Sequence, residues 1–146
     1  MSLSINDISL DKLLPQKPPF IMIDRLVSNN DIYSVAELEI REDNVFFIDG
    51  CLTAAGLVEN IAQTCAAGIG YRFMDKGLAV KVGVIGAINN LNVLRLPRKG
   101  ETITTTVKFM EEVFQMTLFD AVISCGEEEL ARGTIKTALT DEPANN

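Results

Sequence analysis

The chain has 146 residues, 13 Lys plus Arg against 20 Asp plus Glu for a net charge of −7, three Cys and no His. The missing histidine excludes Ser-His-Asp and Cys-His catalysis and His-containing zinc sites within the chain, and leaves acid/base work to carboxylates, Lys, Tyr, Cys or a partner. The acidic balance argues against nucleic-acid binding, and 47% hydrophobic residues over this length suit a single domain, residues 1–146, with a full core.

Residues 1–12 carry Asp7 and Asp11 and lack a basic stretch before an apolar run, so they read as an N-terminal segment and not as a secretory signal. Pro15, Pro18 and Pro19 disfavour helix. The apolar run 20–27 then has strand length. Residues 33–41 alternate, with Ala36, Leu38 and Ile40 on one face and Val35, Glu37 and Glu39 on the other, as in a half-buried strand. Asn29, Asn30 and Asp31 between the two runs supply turn chemistry, which predicts a hairpin. Residues 43–51 read as a loop or short strand.

Residues 54–71 change character. They hold one charged residue, Glu59, and no Pro, and Thr53 precedes them as a helix N-cap. A long, mostly buried helix is expected. Its many Ala and Gly residues permit close backbone approach, and Glu59, Asn60 and Gln63 argue against a membrane span. Strands follow at 80–94, with a polar break at Asn89-Asn90, and at 102–110, 116–124 and 130–139. Residues 96–100 form a turn, and the polar tail 141–146 is expected to fray. Two strands, one helix apolar nearly all round, then about four strands predict an α+β fold, an antiparallel sheet wrapped around one long central helix.

Cys51, Cys65 and Cys125 are odd in number and widely spaced. They read as reduced thiols of a cytoplasmic protein, with neither disulfide framework nor metal site. The segment between Arg72 and Lys99 carries six cations and one acid, while the rest of the chain sums to −12. Arg95, Arg98 and Lys99 in it could receive an anionic partner, or be scattered solvated side chains.

The order of elements resembles the hotdog fold. Residues 13–25 read LLPQKPPFIMIDR and are similar to the opening of 3-hydroxyacyl-[acyl-carrier-protein] dehydratases, whose usual form is LLPHRxPFLLVDR; Gln16 stands at the His. Asp43-Asn44-Val45-Phe46-Phe47, Gly50 and the Glu59-Asn60-Ile61-Ala62-Gln63 run extend the similarity. In that family the acid of E-x-x-A-Q is catalytic, and Glu59 carries the match. The family's G-H-F-P-G segment corresponds here to Gly50-Cys51-Leu52-Thr53, with Cys51 in the His position by order. The short spacing from Gly50 to Glu59 is closer to the dehydratase-like proteins of aryl-polyene pigment clusters.

The candidate site follows. Glu59, a lone acid on an apolar helix, is the leading catalytic group. Gln63, one turn on, orients it or is a structural amide. Cys51 is a base or nucleophile near the helix N-terminus, or a small half-buried residue. Thr53, Ala54, Ala55 and Gly56 open the helix, and its unpaired N–H groups can polarise a thioester carbonyl. Asp24 reads as a structural acceptor, and no cofactor is called for. Three functions remain open: an acyl-thioester dehydratase completed by a His-bearing subunit, a thioesterase using Glu59, and a non-catalytic subunit that binds acyl groups or their carrier. The resemblance implies an acyl-carrier protein or CoA thioester as partner and a homodimer or a heterodimer with another hotdog subunit.

Overall fold

The computed structural model describes residues 5, 8–78 and 81–143. A single helical turn, α1 (Leu10–Leu13), precedes the first hairpin, β1 (Arg25–Asn29) and β2 (Tyr33–Glu39). Its turn is held by Asn30, whose Oδ1 accepts from the N–H groups of Ile32 and Tyr33, each at 2.8 Å. The expected alternation holds: Ala36, Leu38 and Ile40 are buried and Glu39 is exposed. The strand expected over 20–27 starts only at Arg25, because helix amides take up the backbone of Phe20 and Met22. Asn29, expected in the turn, ends β1 instead. Asp24 is a structural acceptor: its Oδ2 accepts from Glu39 N–H at 2.7 Å.

Residues 43–51 resolve into a small hairpin, β3 (Phe47–Ile48) and β4 (Cys51–Leu52). Asp49 and Gly50 make its turn with φ of 53° and 86°. Asp-Gly suits two consecutive positive φ values. The central helix α2 (Ala54–Asp75) begins at the expected cap and runs one turn past the expected end. Gly77, at φ 73°, follows its C-cap Lys76. Leu57, Ile61 and Cys65 of α2 pack with Leu38, Ile40, Ile103, Val107 and Phe119 of the sheet. Ala67 packs with Leu13, Leu14, Leu26 and Ala36.

Four strands follow: β5 (Lys81–Val93), β6 (Thr102–Val113), β7 (Met116–Cys125) and β8 (Glu128–Pro143). They join the first hairpin in an antiparallel six-stranded sheet of order β1-β2-β6-β7-β8-β5, and α2 packs on it. The fold is the expected α+β hotdog arrangement. Asn89-Asn90 does not break β5. It forms an irregularity in the β5–β8 register, with Asn90 at φ 55°. The predicted start of this strand, residue 80, lies outside the described residues, as do 144–146 and residues 1–4, 6 and 7 of the segment 1–12. Residues 141–143 are strand and not frayed, since Pro143 pairs with Lys81. Among the described residues, no helix is long and apolar enough to cross a membrane.

Candidate active site

The β3–β4 hairpin delivers the chain to α2. Thr53 N–H donates to Phe46 O at 2.9 Å, and Thr53 Oγ1 accepts from Gly56 N–H at 3.4 Å as the N-cap. A Cβ on Gly56 would lie 2.8 Å from Leu52 Cδ1 and 2.9 Å from Phe46 Cβ, so only glycine lets the helix start this close to the hairpin. Thr53 occupies the Gly56 amide. The amides of Ala54 and Ala55, both exposed residues, have no intrahelical acceptor and lie at the positive end of the helix dipole. A thioester carbonyl placed there would be polarised.

Glu59 lies in the second turn of α2 and is half-buried. Gln63 is fully buried. Its Oε1 accepts from Met22 N–H at 2.6 Å, and its Nε2 donates both to Phe20 O at 2.9 Å and to Glu59 Oε1 at 3.0 Å. Met22 N–H can only donate, so the amide orientation is dictated: the NH2 group must face Glu59. The sequence leaves Gln63 either orienting the acid or serving as a structural amide, and its hydrogen bonds reach both the acid and the segment before β1. It fixes the segment before β1 and holds one oxygen of Glu59. Asn60, also fully buried, donates to Met22 O at 2.8 Å and accepts from the Thr105 hydroxyl. Two neighbouring helix amides thus replace sheet pairing for this segment. In the sequence Asn60 stands out only within the Glu59–Gln63 run and as an argument against a membrane span, because its partners Met22 and Thr105 lie far away in the chain.

Cys51 is half-buried in β4 and forms an isolated bridge with Arg98. Leu52 N–H donates to Pro97 O at 2.9 Å and Lys99 N–H to Gly50 O at 3.1 Å. This docks the loop after β5 against the hairpin that leads into α2, a contact with no local sequence signal. Two cations of the 72–99 segment are paired here with acids. Arg95 binds Glu101 and Glu128 with 2.9 Å contacts, and Lys99 pairs with Glu42 at 3.0 Å. Arg72 sits far along the helix, donating to the carbonyls of Asn30 and Asp31. Arg98 is exposed, and its backbone N–H donates to Glu101 Oε1 at 2.7 Å. The hydrogen bonds from Arg95 hold the Glu101 carboxyl down at about 2, and burial pushes the Cys65 thiol up to about 12. Cys125, half-buried, donates its thiol to Glu101 Oε2 at 3.6 Å.

Gln16 has a buried Oε1 with no hydrogen-bond partner among the described residues. Among the described residues no group of three or more Cys, Asp or Glu could hold a metal ion. Among the described residues, five of the surface clefts have volumes of about 280–390 Å³, and none of these five is lined by Glu59.

The family described as ApeP-like, ApeP dehydratase, matches residues 8–145. The chain belongs to this family. It is also similar to curated 3-hydroxyacyl-[acyl-carrier-protein] dehydratases FabZ. The protein of Clostridioides difficile (strain 630) is 25% identical over 144 residues, covering 94% of this chain and 99% of that one. The protein of Wolbachia pipientis subsp. Culex pipiens is 26% identical over 148 residues, covering 97% and 100%. Among solved structures, the dehydratase heterocomplex ApeI:P from Xenorhabdus doucetiae matches with a TM-score of 0.86 at 17% identity, covering 92% of this chain and 93% of that one. A hypothetical thioesterase with coenzyme A from Streptococcus pneumoniae TIGR4 matches with a TM-score of 0.64 at 13% identity, covering 82% and 87%. At these identities both structures support the hotdog fold alone. The ApeP-like match agrees with the resemblance read from the Gly50-to-Glu59 spacing.

Proposed function

We propose that this ApeP-like chain supplies the carboxylate half of a 3-hydroxyacyl-thioester dehydratase site, with the histidine brought by a second hotdog subunit. The observation that carries this reading is the Glu59–Gln63 pair in a chain without histidine. Loss of water across Cα and Cβ needs a base for the Cα proton, an acid for the departing hydroxyl, and a polarised thioester carbonyl. Glu59 with one oxygen held by Gln63 fills one proton-transfer role, and the exposed amides of Ala54 and Ala55 serve the carbonyl. The second proton-transfer group is the partner's.

Two further features support a partner. β5, a 13-residue strand, is an edge of the sheet, and long unpaired edges invite pairing with another sheet. The name of the Xenorhabdus doucetiae structure describes a dehydratase heterocomplex. For the substrate we propose an acyl chain on an acyl-carrier protein or CoA, with exposed Arg98 meeting the carrier's acidic surface or phosphate, and Arg95 and Lys99 shaping the loop that presents it.

The test is reconstitution. The chain is mixed with a His-bearing hotdog subunit and assayed for formation of the enoyl thioester from a 3-hydroxyacyl-carrier thioester. Activity should require both chains and fall in Glu59→Gln. Full activity of this chain alone would refute the dependence on a partner. Thiol release without dehydration would favour a thioesterase, and activity indifferent to Glu59→Gln would leave a structural or acyl-binding role.

A further inference from the structure

The end of the molecule remote from the helix N-terminus carries a feature that catalysis at Glu59 does not use. The β6–β7 hairpin turns through Phe114 and Gln115, at φ 54° and 79°. Both are left-handed, and neither residue is Gly, Asn or Asp, the types that adopt this turn cheaply. Phe114 is 93% exposed and Val113 beside it 48%. A strained turn that projects a phenyl ring into water is kept against both local backbone preference and hydration.

Beside this knob lies a cleft of about 320 Å³ at the C-terminal end of α2. Its walls include Phe73, Leu78, Arg72 and Lys76, and it reaches Glu112 and Thr117 at the base of the same hairpin. Leu78 is 54% exposed. Phe114 itself lines a second cleft, with Val113, Met116 and Lys136, and Thr117 lines both. The charged residues of the α2 cleft balance: Arg72 and Lys76 against Asp31 and Glu112. On a chain of net charge −7, most surfaces repel a second copy. A patch with both signs in equal number does not, and a two-fold interface requires such self-complementarity. Glu111 and Glu112 flank the knob, which disfavours an anionic lipid surface as the occupant.

We propose that this end is a two-fold interface between copies of the chain, with Phe114 of each copy seated in the α2 C-terminal cleft of the other. Glu59 is not among the residues that line this surface. This interface does not rest on the dehydratase reading.

The test compares the solution mass of the full chain with that of the double variant Phe114→Asn, Gln115→Gly, by sedimentation across a range of concentrations. Asn-Gly suits the turn, so this variant should unfold at the same temperature or higher while its mass falls to half that of the wild type. Phe114→Trp, which keeps an aromatic knob, should retain the wild-type mass. A mass unchanged in the Asn-Gly variant, or a wild-type chain that stays single throughout, overturns the proposal. So does binding of anionic vesicles or of a different protein that the Asn-Gly variant abolishes while its homomeric mass stays that of the wild type.

Discussion

Gln63 Nε2 donates to Glu59 Oε1 at 3.0 Å across one turn of α2, while Gln63 Oε1 is committed to Met22 N–H. One oxygen of the carboxylate is thereby held, and on the proposed reading the other carries the proton transfer. Removal of the amide and removal of the acid should therefore separate. Glu59→Gln keeps a polar group at a half-buried position and should change stability by less than about 1 kcal/mol. In the reconstituted complex it should lower the dehydration rate by about 100-fold or more. Gln63→Leu strands the Met22 N–H and the Phe20 carbonyl and should destabilise the fold by about 1–3 kcal/mol. Denaturant unfolding and single-turnover rates measure the two. If Glu59→Gln is the more destabilising, the acid has a structural role.

Gly68 puts packing against helix propensity. A Cβ there would lie 2.0 Å from Ser34 Oγ and 2.7 Å from Ser34 Cβ. Ala is favoured over Gly in a helix interior by about 1 kcal/mol, yet Gly68→Ala should destabilise by about 1–3 kcal/mol because β2 must move. Adding Ser34→Gly removes the clashing atoms and should recover part of the loss. A Gly68→Ala variant more stable than the wild type would show that the helix and hairpin separate easily.

Acid should loosen the clamp around Glu101. Arg95 holds this carboxyl at about 2, against the usual 4.5. A group whose native pKa is depressed adds stability above its unfolded pKa and loses that contribution as pH falls through its folded value. Glu101 should therefore support the fold fully above about 4.5 and progressively less down to about 2. Glu101→Gln should lose stability less steeply across that window. Equal slopes for the two proteins would assign the acid sensitivity elsewhere.

The three thiols should differ in reactivity. Cys65 is 2% exposed and burial raises its pKa to about 12, whereas Cys51 and Cys125 are half-buried. Cys65 should be the last to react with a thiol reagent, at a rate that tracks the unfolded fraction. Mass-resolved labelling at increasing denaturant checks the order. Early labelling of Cys65 would mean that α2 opens locally.

Much was legible from the chain by itself. Period-two alternation marked β2 and β6, and a run without Pro and with one charge marked α2, since these patterns are local and follow from which face is buried. The missing histidine left acid/base work to carboxylates, Lys, Tyr, Cys or a partner, and the Glu59 motif with its spacing resembled the dehydratase-like proteins of aryl-polyene clusters. Tertiary structure decided the rest. Residues 20–24 have strand composition, but Asn60 and Gln63, some 40 residues away, take their backbone groups. Arg95 looked like a surface cation until Glu101 and Glu128 closed on it. Arg98 met Cys51 only because the loop after β5 folds back onto the β3–β4 hairpin. Each of these outcomes depends on which distant group satisfies a hydrogen bond or a charge, and neither composition nor periodicity encodes that choice.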